Sequence, residues 1–225
     1  MVVALLPHQK KIFDEADSKN LRFPVLLYWG MGSGKTLGAL LTTVSLTPRD
    51  SVLVLCDKSI VEQWNKEVMR FVNCAFAVTK NIHVKHFQML TTDDVKCHSY
   101  SLVIVDECHR FRNAFKTDGA SEYYRWIKMI MSCSRLVYLT GTPIVSDVKV
   151  EMEALETMMK STQSDPMQNR IWHYNPKDDE KKKKFFATTS TNVVHCPMTY
   201  AQAFEYLQAQ RSNFSINVGG QKYSV

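Results

Sequence analysis

An α/β fold with a mostly parallel central sheet flanked by helices is predicted by three features of this 225-residue sequence. Short apolar runs alternate with stretches of helical periodicity, the pattern of strands joined by crossover helices. A run VLLYW leads through a glycine-rich turn into a mostly apolar helical stretch. Five or more strand candidates fall within the first 150 or so residues, too many for a helical bundle and too interleaved with helices for a sandwich.

Pro7 opens a first helix carrying Gln9, Ile12, Phe13 and Ala16, because its fixed φ and missing N–H suit the first helical turn. Val25–Trp29, bounded by Pro24 and Gly30, reads as a buried strand. Residues 36–46 follow as a helix packed on the sheet. SVLVLC at Ser51–Cys56 is the next strand. Ser59 and Glu62 then have the S-x-x-E spacing of a capping box for a helix running to about Phe71. Residues 82–87, Leu102–Val105 and Leu136–Thr140 are further strands, with helical spacing at 122–131. Beyond about residue 160, STQSDPMQNR and NPKDDEKKKK are polar and proline-punctuated, and they read as an exposed protrusion. A second capping box at Thr199 and Gln202 opens a helix to about Gln210.

Composition places the chain among globular proteins, since 45% hydrophobic against 22% charged residues suffices for one packed domain and an appendage. No apolar run approaches the roughly 20 residues of a membrane-spanning helix, and MVVALLPHQKK has its apolar patch before its charges, the reverse of a secretory signal. An intracellular location and no membrane partner are expected. Cys56, Cys74, Cys97, Cys108, Cys133 and Cys196 contain no C-x-x-C pair, so reduced, mostly buried thiols are expected. The formal net charge of +6 suits a polyanionic partner.

The chemistry is concentrated in two motifs. YWGMGSGKT at 28–36 approaches the phosphate-loop pattern G-x-x-x-x-G-K-S/T, with Trp29 standing where the first glycine belongs. Gly32 and Gly34 let successive N–H groups turn inward, and the following helix adds its positive end. Lys35 would reach the outer phosphates and Thr36 would place its hydroxyl on Mg²⁺. Trp29 belongs to the strand end and leaves the anion nest intact. The second motif, LVIVDECH, puts Asp106, Glu107 and His109 at the end of an apolar strand. A buried unpaired carboxylate is costly, and a metal ion removes that cost. Asp106 would hold Mg²⁺ through water and Glu107 would orient or deprotonate the attacking water. The plainer alternatives are an ordinary strand-to-helix turn and a strand that simply meets solvent.

With both motifs in place, the sequence resembles the first RecA-like lobe of superfamily 2 helicases and translocases, the DExD/H-box proteins, and most of all the Swi/Snf-type DNA-dependent ATPases and related proteins of large DNA viruses. The resemblance covers about residues 5–155, with a weaker match at 192–210. LLPHQKKIF is similar to the family's L-x-P-x-Q segment and assigns Gln9 to the adenine, whose edge a glutamine amide can pair as donor and acceptor. GMGSGKT, from Gly30 and Met31 through Gly32, Ser33 and Gly34 to Lys35 and Thr36, resembles E-M-G-x-G-K-T. Residues 53–71 match a strand and a helix bearing Trp64 and Glu67, with Trp64 and Phe71 expected in the core; Asp57 stands where the family has proline. Lys58 and Ser59, in that turn, are the implied contacts to a nucleic-acid backbone. DECHRFRN is similar to D-E-x-H-R-x-K-N, with Arg112 at the lysine position, and LTGTP at 139–143 resembles the T-G-T-P motif of translocases. That match makes His109, Thr140, Gly141 and Thr142 the link between phosphate site and nucleic-acid groove.

The resemblance implies a RecA-like three-layer sandwich, with ATP and Mg²⁺ as cofactors and nucleic acid, DNA ahead of RNA, as partner. Catalysis would rest on Glu107, Lys35 and Asp106, with Thr36 and Asp106 holding the metal. Residues 1–160 would be the ATP-binding lobe, 161–191 a charged protrusion, and 192–225 a segment leading toward a second RecA-like lobe supplied by this chain or another. Without that lobe hydrolysis is expected to be slow, because the arginines it contributes are worth roughly 10³ to 10⁵ in rate. A single-lobe regulatory module of a transcription or replication assembly, and a strand-separating helicase, remain as alternative readings. Lys181–Lys184, flanked by Asp178, Asp179 and Glu180, reads as a solvated face.

Overall fold

The computed structural model describes residues 4–74, 77–79, 81–90, 100–111, 135–142, 148–160, 162–175, 215–218 and 221–224. Compact packing divides the chain into two units, Met1–Phe185 and Phe186–Val225. In the first, helix α1 (Pro7–Asp17) precedes strand β1 (Val25–Trp29), and α2 (Lys35–Leu41) leads to β2 (Ser51–Cys56). Helix α3 (Val61–Val72) precedes β3 (Asn81–His86), and β4 (Leu102–Val105) and β5 (Leu136–Thr140) follow. Helix α4 (Val148–Met158) and β6 (Ile171–Tyr174) complete this unit. In the second unit, β7 (Ser215–Val218) and β8 (Gln221–Ser224) pair as an antiparallel hairpin.

Six strands form one sheet in the order β3-β2-β4-β5-β1-β6, and every pairing in it is parallel. Side chains alternate between faces along a strand, and the core divides accordingly. Val25, Leu27 and Trp29 of β1, Val52 and Val54 of β2, Ile104 of β4 and Leu139 of β5 pack with Ile12, Leu40, Trp64 and Phe71 from α1, α2 and α3. Leu26, Leu53, Val103, Val105 and Tyr138 point the other way, against Leu155 and Met158 of α4, Met159 and Met167. The result is the RecA-like three-layer sandwich, with the sheet buried on both sides as parallel sheets require.

The five expected strands are present within a residue of the expected bounds, and Pro7 opens α1 as predicted. The helix expected over 36–46 starts at Lys35 and tightens into a 3₁₀ turn at Thr42–Ser45. Thr42 and Thr43 direct their hydroxyls back to the carbonyls of Ala39 and Leu40, a local bonding that competes with regular helix. Gly38 of α2 lies so close to the Trp29 ring that a Cβ there would come within 2.3 Å of it.

Two expectations are corrected. Ser59 does not cap a helix: residues Lys58–Ile60 form a 3₁₀ turn closed by Ile60 N–H on Asp57 O, and α3 begins after it with Ile60 at its cap and no side-chain cap bond. The turn shifts the helix start past Ser59, so the cap position falls on Ile60, which has no side-chain acceptor. Nor is the segment after 160 wholly exposed: Thr162–Ser164 are, but the chain then returns to the sheet. Met167 and Arg170 are buried, and β6 adds a sixth strand beside β1. The Arg170 guanidinium is turned toward the carbonyls of Pro24, Lys160 and Asp165 and the Asp165 carboxylate, so a polar stretch is internalised by pairing its charge with backbone oxygens. The helix expected at 122–131, the lysine run at 181–184 and the segment 192–210 with its capping box lie outside the described residues. Cys56 and Cys108 are buried and Cys74 is half-buried, none of the three in a disulfide; burial foremost, with the carboxylates of Asp106 and Asp57, pushes the Cys56 thiol up to about 12.

Candidate nucleotide site at the carboxyl edge of the sheet

All parallel strands end at one edge, and in open α/β sheets ligands bind in the crevice outside those ends. The turns after β1, β2, β4 and β5 therefore share one rim. With β5 the only strand between β1 and β4, the phosphate-type loop and the acidic motif become near neighbours.

The loop after β1 is shaped by its glycines. Gly32 and Gly34 have φ of 71° and 77°, the left-handed region glycine enters at no steric cost. A Cβ at Gly34 would also sit 2.4 Å from Gln9 Nε2. Lys35 turns its Nζ back over the loop and donates to Trp29 O at 2.9 Å and Gly30 O at 3.4 Å. Trp29, the departure from the glycine pattern, is a buried strand terminus that offers its carbonyl to this cation. Ser33 is buried, and among the described residues its hydroxyl has no hydrogen-bond partner. Met31 stands exposed at the tip, and Thr36 is half-buried in the first turn of α2.

The loop is braced from outside. Gly30 N–H donates to Tyr174 O on β6 at 2.8 Å. His8 stacks on the Tyr174 ring at 3.6 Å, meets Trp29 edge-on, and places Nε2 2.9 Å from Ser33 O. Gln9 is buried, which excludes a merely solvated side chain. Its Oε1 accepts from Leu6 N–H at 3.0 Å, and its Nε2 lies 3.4 Å from Gly34 O.

At the end of β4, Asp106 is half-buried between two donors. Trp64 Nε1–H donates to Oδ2 at 2.8 Å, and Glu107 N–H to Oδ1 at 2.9 Å. Burial holds its carboxyl above the usual carboxylate range, opposed by the Trp64 bond; the Glu107 charge adds to the rise and Lys35 reduces it. Glu107 has φ of 46°, a conformation that costs a non-glycine residue energy and is characteristic of functional turns. Its Oε2 lies 3.2 Å from His109 Nδ1, which lies 3.1 Å from Thr140 Oγ1. Thr140 Oγ1 in turn accepts from Thr142 N–H at 3.1 Å. A Cβ on Gly141 would be 3.6 Å from Lys35 Nζ. The residues named from the third motif thus connect the acidic turn to the lysine.

Lys58 and Ser59 are exposed in the turn after β2, on the same rim. Asp57, at the family's proline position, accepts from Arg110 Nη1 at 2.6 Å and ties that turn to the one after β4. Arg112, Asn113 and Pro143 lie outside the described residues. Among the described residues there is no group of three or more His, Cys, Asp or Glu side chains that could hold a metal. Mg²⁺ does not require such a group, because it keeps most of its shell as water and substrate phosphate and takes one or two carboxylates from the protein.

Sequence reasoning missed four contacts: the Trp64 bond to Asp106, the His8 stack, the Tyr174 carbonyl and the Arg110–Asp57 pair. Trp64, Val68 and Phe71 have simple core spacing, and only the pairing of β2 with β4 shows where the indole N–H ends.

A family model described as type III restriction enzyme, res subunit, matches residues 3–145. The chain belongs to that family. It is a RecA-type lobe of an ATPase/helicase family, and membership implies nucleotide binding in general. The chain is 26% identical over 179 residues to the early transcription factor 70 kDa subunit of Melanoplus sanguinipes entomopoxvirus, covering 70% of this chain and 26% of that protein. It is 27% identical over 184 residues to the DNA repair and recombination protein RAD54B of Homo sapiens, covering 66% and 20%. The RecA-type lobe thus spans about a quarter or less of the length of these relatives. Among solved structures, the fold is similar to the Sulfolobus solfataricus SWI2/SNF2 ATPase core in complex with dsDNA, at TM-score 0.59 and 18% identity, over 79% of this chain and 46% of that one. It is also similar to the Pyrococcus furiosus Hef helicase domain, at TM-score 0.55 and 18% identity, over 81% and 41%. Among the described residues no helix is long and apolar enough to cross a membrane.

Asp106→Asn is expected to flatten the pH dependence of the melting temperature of the nucleotide-free lobe. The sign follows from linkage: a carboxyl whose folded pKa is raised binds its proton more tightly when folded, so wild-type stability is full below the unfolded value and falls as pH rises through the raised one. Asparagine does not titrate, so the difference between variant and wild type should shift in favour of the variant between about pH 4 and pH 7, on top of a constant cost for setting its NH2 against one of the two N–H donors. A difference that stays constant over that range would contradict burial as the dominant influence on Asp106.

Proposed function

We propose that this chain is the ATP-binding first lobe of a nucleic-acid-dependent ATPase of the translocase type. The observation that carries the reading is the convergence of Lys35, Gly141 and Asp106 at neighbouring strand ends, with Lys35 close enough for its charge to act on the Asp106 carboxylate. The backbone of Gly30 to Thr36 cradles the phosphates, Lys35 neutralises the outer ones, and Gln9 faces the adenine. Thr36 and Asp106 hold Mg²⁺, directly or through water. The ion, when bound, offsets phosphate charge. Glu107 positions the water and accepts its proton, and the chain His109, Thr140, Gly141, Thr142 relays the state of the phosphate site toward bound nucleic acid. Lys58 and Ser59 meet that polymer's backbone, for which the exposed turn beside the rim is suited.

DNA is favoured over RNA by the DNA-acting relatives and by the dsDNA complex of the Sulfolobus core. A second RecA-like lobe, in a further part of this chain or in a partner, supplies the facing arginines. A regulatory role within a transcription assembly is a second reading, motivated by the poxviral early transcription factor subunit; it keeps nucleotide binding but makes turnover dispensable.

Calorimetric titration of the 225 residues with ADP, with and without Mg²⁺, tests the binding claim. Binding strengthened by Mg²⁺ is expected, and absence of heat under both conditions sinks the reading. Steady-state ATP hydrolysis by the same protein should be slow with or without duplex DNA; fast DNA-stimulated turnover would show that no second lobe is needed.

A further inference from the structure

Trp64 is one of the largest fully buried side chains, carried on α3, the helix that follows β2. Because β2 lies directly beside β4, its indole N–H arrives at the end of β4 and donates to Asp106 Oδ2 at 2.8 Å. The other carboxylate oxygen accepts from Glu107 N–H at 2.9 Å. Two donors, one from a neighbouring helix and one from the backbone, therefore fix the plane of the carboxylate. Indole is a donor only, and this one is held in the core among Val68 and Phe71. It cannot rotate away or exchange its role for that of an acceptor. Each carboxylate oxygen has a second lone-pair direction, so the arrangement orients Asp106 without exhausting it.

We propose that Trp64 is a positioning residue for the metal site: its N–H sets the direction in which Asp106 presents its free lone pairs to Mg²⁺. The inference rests on the assignment of Asp106 to the metal in the proposed function. Groups that orient a metal ligand through such a bond typically change metal affinity about 10- to 100-fold when removed.

The test replaces Trp64 in the full 225-residue chain by benzothienylalanine, which keeps the bicyclic ring and substitutes sulfur for the N–H; Trp64→Phe is the simpler companion. Binding of a fluorescent ADP analogue is followed as Mg²⁺ is titrated and again in EDTA. For the isostere, the Mg²⁺ concentration giving half the effect should rise at least about 10-fold, with EDTA affinity unchanged within about twofold. The thermal transition without metal should keep its cooperativity, so a loss of stability in Trp64→Phe does not obscure the result. An isostere with wild-type Mg²⁺ dependence overturns the proposal, and so does an equal loss with and without Mg²⁺, which would mean a packing role. A wild-type protein that binds the analogue without any Mg²⁺ dependence overturns the Asp106 assignment itself, a failure recognisable before any variant is made.

Discussion

Glu107→Gln is expected to lower ATP turnover about 10²- to 10⁴-fold, the range removed with a positioned general base, while leaving ADP affinity within about twofold. The amide keeps the size and planarity of the carboxylate and can still meet His109 Nδ1, 3.2 Å from Oε2 in the wild type. What it loses is the capacity to take a proton. Because the 225-residue chain should turn over slowly, the measurement is a single-turnover assay with labelled ATP and excess protein. A variant that hydrolyses at the wild-type rate would remove Glu107 from the reaction. A variant that fails to bind ADP would make Glu107 structural, an outcome the assay separates because the φ of 46° at Glu107 makes the turn sensitive to substitution.

Lys35→Ala should weaken ADP binding about 10- to 150-fold, corresponding to the loss of hydrogen bonding to a charged group worth about 1.5 to 3 kcal/mol. In the nucleotide-free protein Lys35 Nζ is held by the carbonyls of Trp29 and Gly30. Both partners are backbone carbonyls, the one on Trp29 belonging to a buried residue, so losing the ammonium should cost about 1 to 3 kcal/mol of stability and leave the transition cooperative, with the larger effect in affinity. Calorimetry on wild type and variant checks both, affinity through binding heat and the fold through a thermal transition that stays cooperative. Unchanged affinity would overturn the phosphate-loop assignment.

The two expectations address different atoms of one rim, and how that rim could be read differs from residue to residue. The strands were legible because each is a short apolar run bounded by turn residues, and burial on both faces leaves little freedom in their assignment. The phosphate loop was legible because backbone geometry demands glycine at particular places, Gly32 and Gly34. The acidic turn was legible because carboxylates directly after a buried strand have few explanations in packing alone. Local chemistry failed at Ser59, where a 3₁₀ turn displaced a cap whose spacing was correct. It failed again at residues 162–175, where polarity suggested exposure and Arg170 is instead buried against backbone carbonyls.

Sequence by itself determined the α/β class, the strand and loop positions and the motif residues, since each of these depends on interactions within one short segment. Tertiary structure alone decided which of them meet: Trp64 with Asp106, His8 with Tyr174 and Ser33, His109 with Thr140, Arg110 with Asp57. Those meetings follow from strand order, which is set by packing on both faces of one sheet. A hydrophobic period says which face a residue occupies, but carries no information about which strand will lie alongside.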